Sequence, residues 1–207
     1  MLVAPDVYGS ARARPLAKLA APFAARARTA RHERFFPLTG VQPGMRVLDV
    51  GCGALGLLGL APDLEITGVD LVPRPEYPGT IVQADAGVGL PFADDEFDLA
   101  YASSLVEHVP AASRERMAAE LSRVARGLYV QTPAFGFPVE PHALLPGAHW
   151  LPRSLRRPYW RLGAAPWEPE LALLRRSELA RLFPDATVHA ERFGPVAKSW
   201  IAIRPVS

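Results

Sequence analysis

From residue 46 onward, short apolar runs alternate with stretches of helical spacing, and several of the runs end on an acidic residue. Arg46–Val50, Ile66–Val69, Thr80–Gln83 and Phe97–Tyr101 have the length of buried strands and are bounded by turn-forming or polar residues. Residues 110–126 put Met117, Leu121 and Val124 on one helical face and run into Gly127, which reads as a C-terminal cap. Leu128–Gln131 is a fifth strand, stopped by Pro133. A helix follows over about 170–183, with Ser177 as a break or a second N-cap. Two closing strands lie near Thr187–Arg192 and Ala197–Arg204.

Strands that alternate with helices imply a mostly parallel sheet covered on both faces. The closing strands are different. Gly194-Pro195 is too short for a parallel crossover, so this pair forms an antiparallel hairpin. Before the first strand, residues 11–36 carry Ala and Arg with mixed three- and four-residue apolar spacing, which predicts one or two helices broken near Pro15 and Pro22. The expected organisation is a single α/β domain over 1–207. It has an N-terminal helical cap over 1–40 and an insertion over 133–168.

About half of the 207 residues are apolar (49%), enough for the core of one such domain. No apolar run approaches the roughly 20 residues that span a bilayer, and the N-terminus lacks the basic-then-apolar order of a secretory signal. A cytoplasmic location is expected. Net charge is only +2, and the Arg-rich stretches at 12–34 and 153–181 read as solvated helix faces rather than a nucleic-acid surface. The single cysteine, Cys52, has no disulfide partner, and no Cys/His cluster has metal-ligand spacing, so no metal is expected.

The chemistry concentrates after the first strand, in Asp49-Val50-Gly51-Cys52-Gly53-Ala54-Leu55-Gly56. Glycines here let backbone N–H groups approach a ligand, and the Gly51/Gly53/Gly56 spacing alone also suits a dinucleotide. Asp49 tips the balance, because a carboxylate repels a pyrophosphate and attracts a cation. Asp70 ends the second strand, where a carboxylate accepts from ribose hydroxyls, and Asp85 follows the third, within reach of an adenine amino group. Three acidic strand ends would line one crevice at the carboxyl edge of the sheet.

With these residues in place, the chain resembles the class I S-adenosylmethionine (SAM)-dependent methyltransferases, in particular the small-molecule group that includes ubiquinone- and menaquinone-pathway enzymes. The resemblance rests on VLDVGCG (47–53), ITGVD (66–70), VQAD (82–85), LPFADDEFD (90–98) and SSLVEHVP (103–110), and covers roughly 45–131. It implies a Rossmann-like seven-stranded sheet with the final strand inserted antiparallel, and SAM as cofactor. It also implies that Asp49, Gly51, Cys52 and Gly53 surround the methionine end of SAM. Asp70 would take the ribose, Leu71, Asp85 and Ala86 the adenine, and Ser103, Ser104 and His108 would close the site. Relatives commonly place a helix after the position of Asp70. Here Pro73, Pro75 and Pro78 predict a loop instead.

Methyl transfer from a sulfonium is an in-line displacement, so alignment of the acceptor and exclusion of water carry most of the catalysis. An acceptor that starts protonated also calls for a base. His108, Glu107, His142 and Tyr101 are candidates. His108 is expected to shape the SAM pocket more than to remove a proton, and His142 reads as a surface-loop residue twice as readily as a base. The Pro- and aromatic-rich insertion over 133–168 would form the lid over a small-molecule acceptor. Trp160, Leu155 and Leu162 beside Arg153, Arg156, Arg157 and Arg161 also suit a membrane surface or a lipid-like acceptor. A SAM-binding module without catalysis is the remaining alternative. No motif encodes the acceptor, the methylated atom or the oligomeric state.

Overall fold

The computed structural model describes residues 33–206. The helices expected before residue 33 therefore lie outside the described residues, apart from a helical stretch at 33–39, here α1. Seven strands form the main sheet: β1 (Arg46–Val50), β2 (Glu65–Asp70), β3 (Thr80–Gln83), β4 (Phe97–Ser103), β5 (Ala125–Pro133), β8 (Thr187–Phe193) and β9 (Val196–Arg204). Their order is β3-β2-β1-β4-β5-β9-β8. The first five run parallel, and β9 inserts antiparallel between β5 and β8. Both the seven-stranded count and the antiparallel closing hairpin match the expectation from sequence.

The apolar runs look continuous because both faces of the sheet are covered, and successive side chains go to opposite sides. Leu48, Ala100, Val130 and Ala202 join one core with Met117, Leu121 and Val124 of α2 (Arg114–Val124) and Leu179 of α4 (Arg176–Leu182). Their immediate neighbours Val47, Leu99, Tyr129 and Ile201 join the other, with Phe35 of α1. Phe35 packs edge-on against Tyr101 and Tyr129, which stack at 5.1 Å.

Two boundary expectations are corrected. Gly127 is not a helix cap: α2 ends at Val124, Ala125 already has extended backbone (φ −142°), and Gly127 lies inside β5. A Cβ there would sit 2.7 Å from Val206 Cγ1 and 3.1 Å from the Arg204 carbonyl oxygen, so glycine is needed for close approach of the C-terminal segment. The helix expected over 170–183 covers only Arg176–Leu182, with Ser177 inside its first turn. Its start is fixed by Glu178, which accepts from the Arg175 amide at 2.7 Å.

The insertion over 133–168 is structured. It contains a short hairpin, β6 (Val139–Glu140) and β7 (Leu145–Pro146), and helix α3 (Arg153–Trp160). Ala143, Leu145, Ala148, Trp160 and Leu171 form a third, smaller apolar cluster that holds the segment together.

Candidate active site

The register of the sheet brings the sequence-predicted acids to one edge. Asp49 lies beside Gly68 of β2, and Asp70 ends β2 opposite Gln83. Asp49 is buried, and its Oδ2 accepts from the Leu57 amide at 2.6 Å. Burial pushes its pKa up to about 7, against the lowering effect of the Leu57 amide and with a further rise from Asp70. Gly56 makes this close contact possible, since a Cβ there would stand 2.0 Å from Asp49 Oδ2 on a backbone of positive φ (+50°).

Asp70 ties the loop down. Its Oδ2 accepts from the Gly53 amide and from Arg74 Nε, each at 3.0 Å, and its Oδ1 from the Val72 amide at 3.1 Å. Sequence reading missed Arg74. Nothing in a proline-broken loop marks one arginine as facing a strand-end carboxylate. As expected, residues 71–79 form no helix.

The remaining cofactor candidates fall into different places. The Cys52 side chain is buried, and a Cβ on Gly68 would lie 2.9 Å from its Sγ. Burial, reinforced by Asp49 and Asp70, pushes the thiol up to about 12, so it stays protonated. Leu71 is 60% exposed. Asp85 is exposed and closes a turn by accepting from the Gly87 amide at 2.8 Å, while Ala86 is buried in the core. Ser103 and Ser104 both donate to Gln131 Oε1, at 2.8 and 3.3 Å.

Does this loop suit SAM? Two buried acids stand near enough for Asp70 to raise the pKa of Asp49, and one guanidinium, that of Arg74, pairs with Asp70. A Cβ on Gly53 would meet nothing within 4 Å, so there is open space above the loop. Negative potential beside a roomy glycine turn fits a sulfonium and an ammonium and disfavours phosphate. A ribose at Asp70 would have to displace Arg74 Nε from its Oδ2.

Leu105 links this loop to a second cluster. A Cβ on Gly51 would lie 2.9 Å from Leu105 Cδ1, and the short helical turn Val106–His108 follows directly. Here the structure corrects the reading of His142, which is no surface residue: its side chain is only 8% exposed. Its Nδ1 lies 2.7 Å from Glu140 Oε1, and its ring meets the His108 ring edge-on at 4.9 Å. His108 Nδ1 lies 2.9 Å from Glu168. Burial works against charge on His142, but the hydrogen bond to Glu140 and the charges of Glu140, Glu107 and Glu168 outweigh it and raise its pKa. Glu107 is fully buried and accepts from Thr132 Oγ1 at 2.8 Å. Tyr101 drops out as a base, because it points into the opposite core against Phe35 and Tyr129.

Glu140 and Glu168 escaped sequence reading. The only signal was the pairing of acidic residues with histidines in Glu107-His108 and Glu140-Pro141-His142, some 30 residues apart and joined only by the fold. Beyond this cluster, a small cavity of about 100 Å³ is lined by Phe135, Glu140, His149, Arg156, Trp160 and Leu171, within the insertion and the loop that follows it.

Comparisons with known proteins agree with this geometry. Residues 48–127 match the family model described as a methyltransferase domain. A cycloartenol-C-24-methyltransferase of rice (Oryza sativa subsp. japonica) is 36% identical over 96 residues, 39% of this chain. The match spans only 28% of that relative's length. A SAM-dependent methyltransferase from Archaeoglobus fulgidus superposes with a TM-score of 0.58 at 15% identity, covering 92% of this chain and 99% of that one. A Pyrococcus horikoshii protein gives 0.60 at 17% identity, covering 89% and 91%. At such identities the superpositions speak for the fold alone, and the family match is confined to residues 48–127. Residues 48–127 match the methyltransferase-domain model, and the described residues share their fold with a SAM-dependent methyltransferase of known structure.

Proposed function

We propose that this protein transfers the methyl group of SAM to a small-molecule acceptor held between the sheet edge and the 133–168 segment. The observation that carries this reading is the buried acidic pair Asp49 and Asp70 around a glycine turn, an arrangement made for a cationic nucleoside. The cofactor would supply an electrophilic methyl on a good leaving group. Asp49 would hold the amino-acid end by charge, and Asp70 would accept from the ribose after Arg74 withdraws. Ser103 and Ser104 would shape the floor through Gln131. Alignment of the acceptor carries most of the rate. Glu107, His108 and His142, two or more residues beyond Leu105, would handle the acceptor's proton.

Calorimetry with SAM, S-adenosylhomocysteine and NAD tests the cofactor; binding of NAD in preference to the other two would overturn the proposal. Release of S-adenosylhomocysteine across a panel of acceptors separates an enzyme from a binding module. His142→Ala is expected to lower turnover by about 100-fold with SAM affinity unchanged. A loss beyond about a thousandfold would show that alignment is not the dominant effect.

A lipid-like acceptor is the second reading, favoured by one surface. Trp150, Leu155 and Leu162 are 50%, 58% and 69% exposed around the arginines of α3. Apolar side chains interleaved with cations suit an anionic interface. The sterol methyltransferase relative points the same way. Sedimentation with anionic vesicles at low salt tests it, and failure to co-sediment removes it.

A further inference from the structure

We infer that Glu107, His108 and His142 form a binding site for a divalent transition-metal ion of the zinc class. Each of the three offers one ligand atom, and these atoms lie within 4.8 Å of one another. Three features make the cluster more than a polar patch.

First, both imidazoles are held from behind. Nδ1 of His142 lies 2.7 Å from Glu140 Oε1, and Nδ1 of His108 lies 2.9 Å from Glu168. A carboxylate accepts only, so each Nδ1 carries the proton, and in the neutral ring the lone pair lies on Nε2. Carboxylate support of the far nitrogen fixes the tautomer and ring angle that a metal-bound histidine needs. Glu140 is itself fixed, since its Oε2 accepts from the Ala143 amide at 2.6 Å.

Second, Glu107 has a buried oxygen with nothing to bind. Thr132 satisfies Oε2, but Oε1 has no hydrogen-bond partner although the residue is fully buried. A buried carboxylate oxygen left alone is costly, and native structures rarely tolerate one without an ion or a water.

Third, that oxygen stands 3.7 Å from His142 Nε2, too far for a hydrogen bond. An ion about 2.0–2.2 Å from each atom fits between them at a wide angle, and the His108 ligand atom lies within 4.8 Å of both.

Two imidazoles and one carboxylate select the ion. Magnesium and calcium prefer oxygen ligands, whereas zinc and its neighbours take this nitrogen–oxygen set. Three protein ligands leave coordination positions open. On the methyltransferase reading above, an acceptor oxygen would fill one of them and lose its proton more readily there. The ion site itself does not depend on that reading.

The test uses the untagged full chain, equilibrated with Zn²⁺ or Co²⁺ and freed of excess ion. The expected result is one ion per chain, with Co²⁺ giving the visible absorption of a low-coordinate nitrogen–oxygen site. Glu107→Gln and His142→Gln should each weaken Zn²⁺ binding by at least about 100-fold. Glu168→Gln should weaken it by about tenfold, acting only through His108. This last change lies on a partly exposed side chain and keeps the fold testable should the buried variants unfold. No stoichiometric ion in the native chain, or binding unchanged in folded Glu168→Gln and His142→Gln, would overturn the site. Binding of the ion without affinity for SAM would sink the methyltransferase reading alone.

Discussion

Asp49 shows how much one side chain sets. Its pKa lies at about 7 because it is buried near a second acid, against an ordinary value of 3.8. The folded chain therefore holds a proton that the unfolded chain has lost, and stability falls as pH rises from about 4 to 7, by a few kcal/mol. Above pH 7 the loss is complete and level. A bound cation reverses the preference and favours the ionised carboxylate. SAM affinity is thus expected to rise as pH increases from 6 to 8, by up to about tenfold per unit below pH 7. Calorimetry across that range checks it, and Asp49→Asn should flatten the profile while weakening SAM by at least about tenfold. Gly56→Ala is expected to damage the same site sterically. A Cβ at 2.0 Å from Asp49 Oδ2 cannot be accommodated without moving the carboxylate, and the positive φ adds strain. SAM binding should fall by more than tenfold, with melting temperature lowered by several degrees.

At the scale of elements, α2 is fastened to the loop that carries Asp85 and Leu90. Glu120 accepts from the Leu90 amide at 2.8 Å and from Arg123, and Arg123 also donates to the carbonyls of Leu90 and Phe92. The hydrogen bond from Arg123, against burial and with help from the Leu90 amide, holds the Glu120 carboxyl down at about 2. Because this pKa is depressed in the fold, the stabilisation is present above about pH 4.5 and lost as pH falls toward 2. Glu120→Gln should cost about 2–3 kcal/mol at pH 7 and remove part of the acid-induced loss of stability, read by denaturant titration at pH 7 and pH 3. The strand ends were legible in the sequence because Arg46–Val50 and Thr80–Gln83 are apolar runs between strong breakers. The end of α2 was not. Glycine after a helical run is ordinarily a cap, but β5 begins directly at Ala125, and only the packing of Val206 shows why residue 127 lacks a side chain.

For the whole molecule, Arg114 ties α2 and the turn at Val109 to the loop that follows the 133–168 segment. From α2 it donates to the carbonyls of Val109 at 3.0 Å and Ala172 at 3.0 Å, while the Ala172 amide donates to the Glu107 carbonyl at 2.9 Å. Arg114 is 92% buried by its 8% exposure, so these bonds have no water to replace them. Arg114→Met is expected to cost about 2–4 kcal/mol and to open 134–173 to limited proteolysis before the rest of the chain. Simultaneous cleavage throughout would show that the segment is not held at this point. Among the described residues, no helix is long and apolar enough to cross a membrane.

The succession of strands along the chain, the antiparallel closing pair and the acids Asp49 and Asp70 were determined by sequence alone. Each depends on local matters: run length, loop length, and a charge placed where a strand must end. The convergence of Glu107, His108, His142, Glu140 and Glu168 was decided only by the tertiary structure. Those residues come from a turn after β4, a small hairpin and a loop after α3, and no spacing along the chain specifies how three such pieces meet. Burial did the rest, turning an unremarkable loop histidine and a glutamate into groups that lack water and must find partners in each other or in an ion.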